Sequence, residues 1–215
     1  MKSVLVIGMG RFGKNATVKL RELGHEVMAV DMLEERISDS LEIASNAIIG
    51  DSTSKAFLET LGVKDYDLCI VTIGDDFQSS LETTSLLKEM GAKKVISRAS
   101  NDVQKKFLLR NGADYVVYPE EQVAHWVAIR YSSDSIFDYL SLEDGYSIVE
   151  INVPVKWTGR TIGELDVRNK HKINIMALKR NDKMIMDITT NTQLSGMDRA
   201  LVLGKYEDIQ KCLKI

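Results

Sequence analysis

Six residues near the amino end, Gly8-Met9-Gly10-Arg11-Phe12-Gly13, have the types and spacing of a loop that holds phosphate. The run follows an apolar stretch, Val4–Ile7, and opens a helical pattern. In that setting Gly8 permits a tight turn, Gly10 lets a phosphate reach the backbone, and Gly13 lets the helix pack closely on a sheet. The helix amino terminus adds unpaired N–H groups and a partial positive charge. Asp31, with Met32 beside it, stands 18 residues beyond Gly13. A carboxylate at the end of the second strand accepts hydrogen bonds from ribose hydroxyls and repels a 2′-phosphate, which disfavours NADP. A glycine turn with a purely structural role is the alternative. Arg11 adds a guanidinium that can fork onto phosphate oxygens. It suits a terminal phosphate, or a phosphate held by a neighbouring subunit; otherwise it is a solvent-facing residue of the first turn.

Three more runs lie where strands end: Gly50-Asp51-Ser52-Thr53, Thr72-Ile73-Gly74-Asp75-Asp76, and Arg98. Ligands of open α/β sheets sit outside the carboxyl ends of the strands. Asp51, Ser52 and Thr53 therefore face ribose or adenine, with helix capping as the alternative for Asp51 and Thr53. For Arg98 the alternative is a solvated surface charge.

The elements that must position these groups are legible as alternation. Strands are expected at Val4–Ile7, Glu26–Val30, Ala47–Ile49, Leu68–Thr72, Lys94–Ser97 and Tyr115–Val117, with helices at Phe12–Leu23, Leu33–Ile43, Lys55–Leu61, Gln78–Met90 and Asp102–Arg110. Short apolar strands each followed by a helix predict an α/β fold, a Rossmann-like doubly wound parallel sheet. Pro119 opens a further helix over 120–131, and a short amphipathic piece, Ile136–Leu142, follows a polar break. Beyond Gly145 the pattern changes to strands at Ser147–Val153, Asn174–Lys179, Lys183–Asp187 and Ala200–Leu203, with short helices at Gly163–Arg168 and Lys205–Leu213. This is a small second α+β domain. The expected division is residues 1–118, a nucleotide-binding domain; 119–144, a linking region; and 145–215, the second domain.

Net charge is −3, so free nucleic acid is not an expected partner. No apolar run approaches the roughly 20 residues of a membrane span, and the expected location is cytoplasmic. Cys69 and Cys212 are far apart and lack neighbouring metal ligands, so neither a disulfide nor a zinc site is expected. His25, His125 and His171 are the only histidines, and none pairs visibly with a nucleophile and a carboxylate. The reading is therefore a non-enzyme that senses a nucleotide. A small NAD-dependent oxidoreductase is the alternative.

Several runs recur together in one family: Gly-x-Gly-Arg-Phe-Gly at 8–13, Gly-His-Glu-Val at 24–27, Val30-Asp31, Gly50-Asp51-Ser52-Thr53, Gly112-Ala113-Asp114, Pro119-Glu120 and Tyr146-Ser147-Ile148-Val149-Glu150. The chain thereby resembles the cytoplasmic regulatory subunits of Ktr/Trk potassium-uptake systems, which join an RCK (regulator of K⁺ conductance) domain to an RCK_C domain. The resemblance implies a gating subunit that binds ATP or ADP, with NAD(H) in some members. It implies homodimers assembling into an octameric ring, docked on a membrane potassium channel or transporter subunit of the KtrB/TrkH type and so peripheral to the inner face of the membrane. The same module serving another cation transporter or antiporter is a further alternative. By the resemblance Arg11 contacts phosphate, Asp31 holds ribose, and Glu120 is a Mg²⁺, Ca²⁺ or Na⁺ ligand. Favourable charge at a helix amino terminus is the other reading of Glu120. Residues Val123, Trp126, Val127, Ile136, Phe137 and Leu140 would be dimer interface, or core in an isolated monomer. In the second domain Ile162, Asp166, Val167, Arg168, Asn174 and Ile175 fall in a stretch that resembles a cyclic di-AMP site. An ordinary dimer core is the alternative there, and Asp187–Asn191 departs from the family's proline at that point.

Overall fold

A computed structural model describes residues 1–213; residues 214–215, at the end of the second expected domain, lie outside the described residues. The chain divides into two compact units, Met1–Glu121 and the remainder from Gln122.

In the first unit, strands β1 (Ser3–Ile7), β2 (Glu26–Asp31), β3 (Asn46–Ile49), β4 (Leu68–Val71), β5 (Val95–Arg98) and β6 (Tyr115–Val117) alternate with helices α1 (Arg11–Glu22), α2 (Glu34–Ser38), α3 (Lys55–Thr60), α4 (Phe77–Glu89) and α5 (Asp102–Arg110). The strands form one sheet in the order β3-β2-β1-β4-β5-β6, and every pairing is parallel. This is the doubly wound Rossmann-like arrangement expected from the alternation. The apolar run of β1 explains its central place. Leu5 and Ile7 point into one core cluster with Val30, Leu58 and Val71, while Val4 and Val6 point into another with Val27 and Ala29. A strand with both faces covered needs apolar residues at successive positions, not alternate ones. The order reverses between β1 and β4, which opens a crevice above their carboxyl ends.

Helix α2 is shorter than the expected 33–43. It stops at Ser38, and the Ser40 hydroxyl donates to the Arg36 carbonyl at 2.6 Å, taking the place of the backbone N–H that a longer helix would have offered it.

Helix α6 (Pro119–Tyr131) leads into the second unit. There β7 (Ile136–Ser141), β8 (Tyr146–Asn152), α7 (Ile162–Leu165), α8 (Val167–His171), β9 (Asn174–Arg180), β10 (Lys183–Ile185), β11 (Arg199–Lys205) and α9 (Tyr206–Leu213) follow. The sheet order is β10-β9-β11-β8-β7, all antiparallel. The amphipathic piece is the strand β7, Ile136–Ser141, paired with β8, and Ile136 takes the core role. One expectation is corrected here. The single helix over 163–168 is two short helices, because Asp166 takes a left-handed φ of 48° between them. Asp198 is buried in this unit; it accepts two hydrogen bonds from Arg180, at 2.7 and 2.8 Å, and a third from the Ser195 N–H at 2.9 Å.

Candidate functional site

The glycine loop joins β1 to α1 above the strand-order reversal. Gly8 has φ 97°, and its N–H donates to the Val30 carbonyl at 2.8 Å. Its own carbonyl accepts from the buried Thr72 hydroxyl, which also donates to Ile7 at 3.1 Å. A Cβ on Gly13 would overlap that same Gly8 carbonyl, so helix and loop touch only because residue 13 has no side chain. Gly10 differs. Its φ is −69°, ordinary for any residue, and a Cβ there would meet nothing within 4 Å. Neither backbone nor packing of this chain requires glycine at position 10. The space that it keeps open lies in front of α1, whose amino terminus has no side-chain cap and no acidic residue in its first turn. By contrast α3, α4 and α5 are capped by Ser54, Asp76 and Asn101.

Asp31 ends β2 and is almost fully buried. Oδ2 accepts from the Met9 N–H at 2.6 Å, and Oδ1 from the Leu33 N–H at 2.9 Å. Nη1 of Arg36, a residue that the spacing did not single out, lies 3.4 Å from Oδ2. Asp51 accepts from both the N–H and the hydroxyl of Thr53, at 2.9 and 2.7 Å. Neither residue caps α3; Ser54 does. Ser52 is buried and shares a 2.8 Å hydrogen bond with Thr83 of α4.

Arg98 is not a free surface charge. Nη2 donates to Glu120 Oε1 at 2.7 Å, a Cβ on Gly74 would overlap Nη1, and Nε is buried without a partner. Glu120 is held below the usual carboxylate range, first by its own backbone amide and then by Arg98. The hydroxyl and amide of Ser79 do the same for Asp76. Both carboxyls are thus driven further into the ionised form, the wrong direction for a proton donor at neutral pH. As for a hard cation, which takes six or more oxygen ligands, Glu120 offers one carboxylate already paired with an arginine. Among the described residues no three histidine, cysteine or acidic side chains cluster as metal ligands. A single carboxylate is what Mg²⁺ takes when substrate phosphates and waters complete its shell, and the resemblance puts this site at the interface of two copies, beside the phosphates.

One cavity of about 1050 Å³, roomy enough for a dinucleotide, collects these groups. It is lined by Gly8, Met9, Gly10, Arg11, Phe12, Asp31, Met32, Asp51, Ser52, Thr53, Thr72, Ile73, Gly74, Arg98 and Glu120, all singled out by the sequence; Gly13 supports the loop from behind. Lys14, Asn15, Leu33, Arg36, Asp75, Asp76 and Ser79 line it as well, and no histidine or cysteine does among the described residues. Arg36 was within reach of sequence reasoning, since it lies one turn into the helix that follows Asp31.

The six residues grouped in the second unit lie in and around its core. Val167 is 4% exposed in the core, Ile162 and Ile175 pack against that core, and Asp166 accepts from Asn169 at 2.7 Å. Arg168 is exposed and Asn174 is half-buried on β9. The cavity found in this unit is lined instead by residues that include His125, Tyr139, Lys205 and Tyr206. On α6, Val123, Trp126 and Val127 are exposed, as is Leu140 on β7, while Phe137 lies under the Arg199 guanidinium at 3.4 Å. Among the described residues no helix is long and apolar enough to cross a membrane.

Comparison with known proteins gives this arrangement its context. The TrkA-N domain family matches residues 4–119 and the TrkA-C domain family residues 146–215. Ktr system potassium uptake protein C of Bacillus subtilis is 39% identical over 98% of this chain and 95% of its own length. Ktr system potassium uptake protein A of the same organism is 33% identical over the same shares. Among solved structures, the GsuK RCK domain superposes with a TM-score of 0.66 at 16% identity, covering 99% of this chain and 47% of that one. The GsuK channel bound to NAD gives 0.69 at 16% identity, covering 96% and 38%. The chain spans less than half of those two solved chains, and at such identity they show the fold alone. The family matches and the full-length Ktr relatives show that the chain belongs to the TrkA-N/TrkA-C family of Ktr/Trk potassium-uptake proteins.

Proposed function

We propose that this chain is a gating subunit of a potassium-uptake system and that it reads adenine nucleotides, ATP against ADP or NAD(H), in the cavity above β1 and β4. The observation that carries this reading is the unfilled space at Gly10 in front of an uncapped helix amino terminus. Backbone N–H groups and the helix dipole there suit a phosphate, and the buried Asp31 beside the loop suits a ribose. The ligand is sensed and not consumed: the two cavity carboxyls with resolved shifts are held ionised, and no imidazole or thiol faces the space among the described residues. The partner on this reading is a membrane potassium channel or transporter subunit. The exposed apolar residues of α6 support a homodimer as the building block of the ring. A ligand moves such a gate only by binding its two forms with different affinity.

ATP differs from ADP by one terminal phosphate, and Arg11 is an exposed cation at the first helical position with no internal hydrogen bond among the described residues. Titration calorimetry with both nucleotides tests the assignment. Arg11→Ala is expected to lower the ATP/ADP preference while ADP still binds; equal loss of both affinities overturns it. Turnover of NADH with a panel of carbonyl substrates would favour the oxidoreductase instead.

A further inference from the structure

We infer that Arg36 is a specificity-determining residue for the ribose end of the cavity and makes that end accept a phosphorylated ribose as well as a free diol. The inference rests on the nucleotide reading above. It also reverses the sequence expectation that Asp31 shuts out a 2′-phosphate.

The argument starts from what Asp31 has left to offer. Each of its oxygens already accepts a backbone N–H, at 2.6 Å from Met9 and 2.9 Å from Leu33, and the side chain is only 4% exposed. Two amide dipoles therefore stand against its charge before any ligand arrives. The Arg36 guanidinium lies 3.4 Å from Oδ2, so the ribose end presents an ion pair and not a bare anion. That contact is long, and it is the only hydrogen bond of the Arg36 side chain among the described residues. A guanidinium carries five N–H donors in a planar fork, of which this contact uses one. The side chain is 41% exposed and lines the cavity beside Asp31, Met32 and Leu33. Unused donors at the mouth of a nucleotide cavity, next to the carboxylate that takes the ribose hydroxyls, match an acceptor carried on the ribose. A phosphate is the acceptor that a guanidinium binds bidentately. The chemical class is an adenine nucleotide with a further phosphate on the 2′-oxygen of its adenosine ribose. Such a ligand draws Arg36 outward, while Asp31 keeps its two amide partners and stays in place.

NADH and NADPH differ by that one phosphate and fluoresce, so both can be titrated directly onto the full chain, with ADP, whose 2′-hydroxyl is free, as the reference. NADPH is expected to bind within tenfold of NADH. In Arg36→Ala the ratio of the NADPH to the NADH dissociation constant is expected to rise at least tenfold, and Arg36→Lys should recover part of the loss. A wild-type chain that binds ADP or NADH but holds NADPH more than tenfold weaker overturns the inference and leaves the nucleotide reading standing. A smaller rise of the ratio in Arg36→Ala overturns it equally. Failure of all three ligands to bind the wild-type chain removes both. The wild-type comparison needs no variant, so the test survives any folding defect in Arg36→Ala.

Discussion

Replacing Gly10 with alanine separates a ligand's requirement from the protein's own. The perturbation is one methyl group. In the protein it meets nothing within 4 Å, and φ −69° with ψ −172° suits alanine as well as glycine. Two small effects on stability oppose each other. Alanine restricts the unfolded chain, a gain of roughly 0.4–1 kcal/mol. It is also a poorer helix N-cap than glycine, a loss of about the same size. Net stability should move by less than about 1 kcal/mol. Binding should not be spared. A phosphate oxygen that accepts a backbone N–H approaches to about 2.9 Å, whereas a methyl carbon holds a heavy atom to about 3.5–4.0 Å. Displacing the phosphate by that difference forfeits about one charge-assisted hydrogen bond, at roughly 1.5–3 kcal/mol. The expected outcome is a loss of ADP affinity of about 10- to 100-fold. Urea unfolding reads the first quantity and titration calorimetry the second. A stable Gly10→Ala that binds ADP within twofold of wild type would refute the reasoning, because the open space would then have no occupant. Gly13→Ala is the control with the opposite signature. Its methyl would run into the Gly8 carbonyl, a backbone atom that cannot swing aside, and about 2–3 kcal/mol of stability should be lost.

Asp198→Ala removes both ends of the fork to Arg180 and the partner of the Ser195 N–H. Because Arg180 is 43% exposed and stays solvated, the expected cost is about 2 kcal/mol, below that of a fully buried pair. Arg180 holds the Asp198 carboxyl below its ordinary range, so its contribution is complete above about pH 4, the unfolded value, and is lost as pH falls through the native one. Asp198→Asn should therefore show a shallower decline in urea midpoint between pH 7 and pH 3 than wild type. Burial pushes the Cys69 thiol up to about 12 and raises that of Cys212, so neither should react with a disulfide reagent at pH 8 in the native protein. Both should react once the chain is unfolded, and a fast native thiol would contradict the packing described.

The parallel sheet and the glycine loop were legible in the residues because their signals are local. Val4 to Ile7 must be apolar at every position to be covered on both faces, and a glycine run after such a strand has few other uses. What escaped was set by irregularities. In β7 the pairing slips between Ile136 and Asp138, so the buried residues Ile136 and Tyr139 stand three apart. That is a helical spacing produced by a bulged strand. Asp166 adopts a left-handed conformation that its residue type permits without announcing. The pair Arg98–Glu120 joins residues whose meeting is decided by where strand ends fall, which spacing along one sequence does not encode. The chemistry at each position was readable; its partner was not.

The Met9 amide is tied to Asp31, and the Gly8 carbonyl to Thr72. On the proposed reading the two halves of a nucleotide are gauged by one braced scaffold, with the aspartate as its strut. An amide in place of that carboxylate would set an N–H₂ group against the Met9 N–H or the Leu33 N–H, whichever way it turned. On that reading, genetic screens that find Asp31 indispensable will be registering collapse of the glycine loop together with loss of the proposed sugar contact, and only substitutions that keep both amides satisfied can apportion the damage.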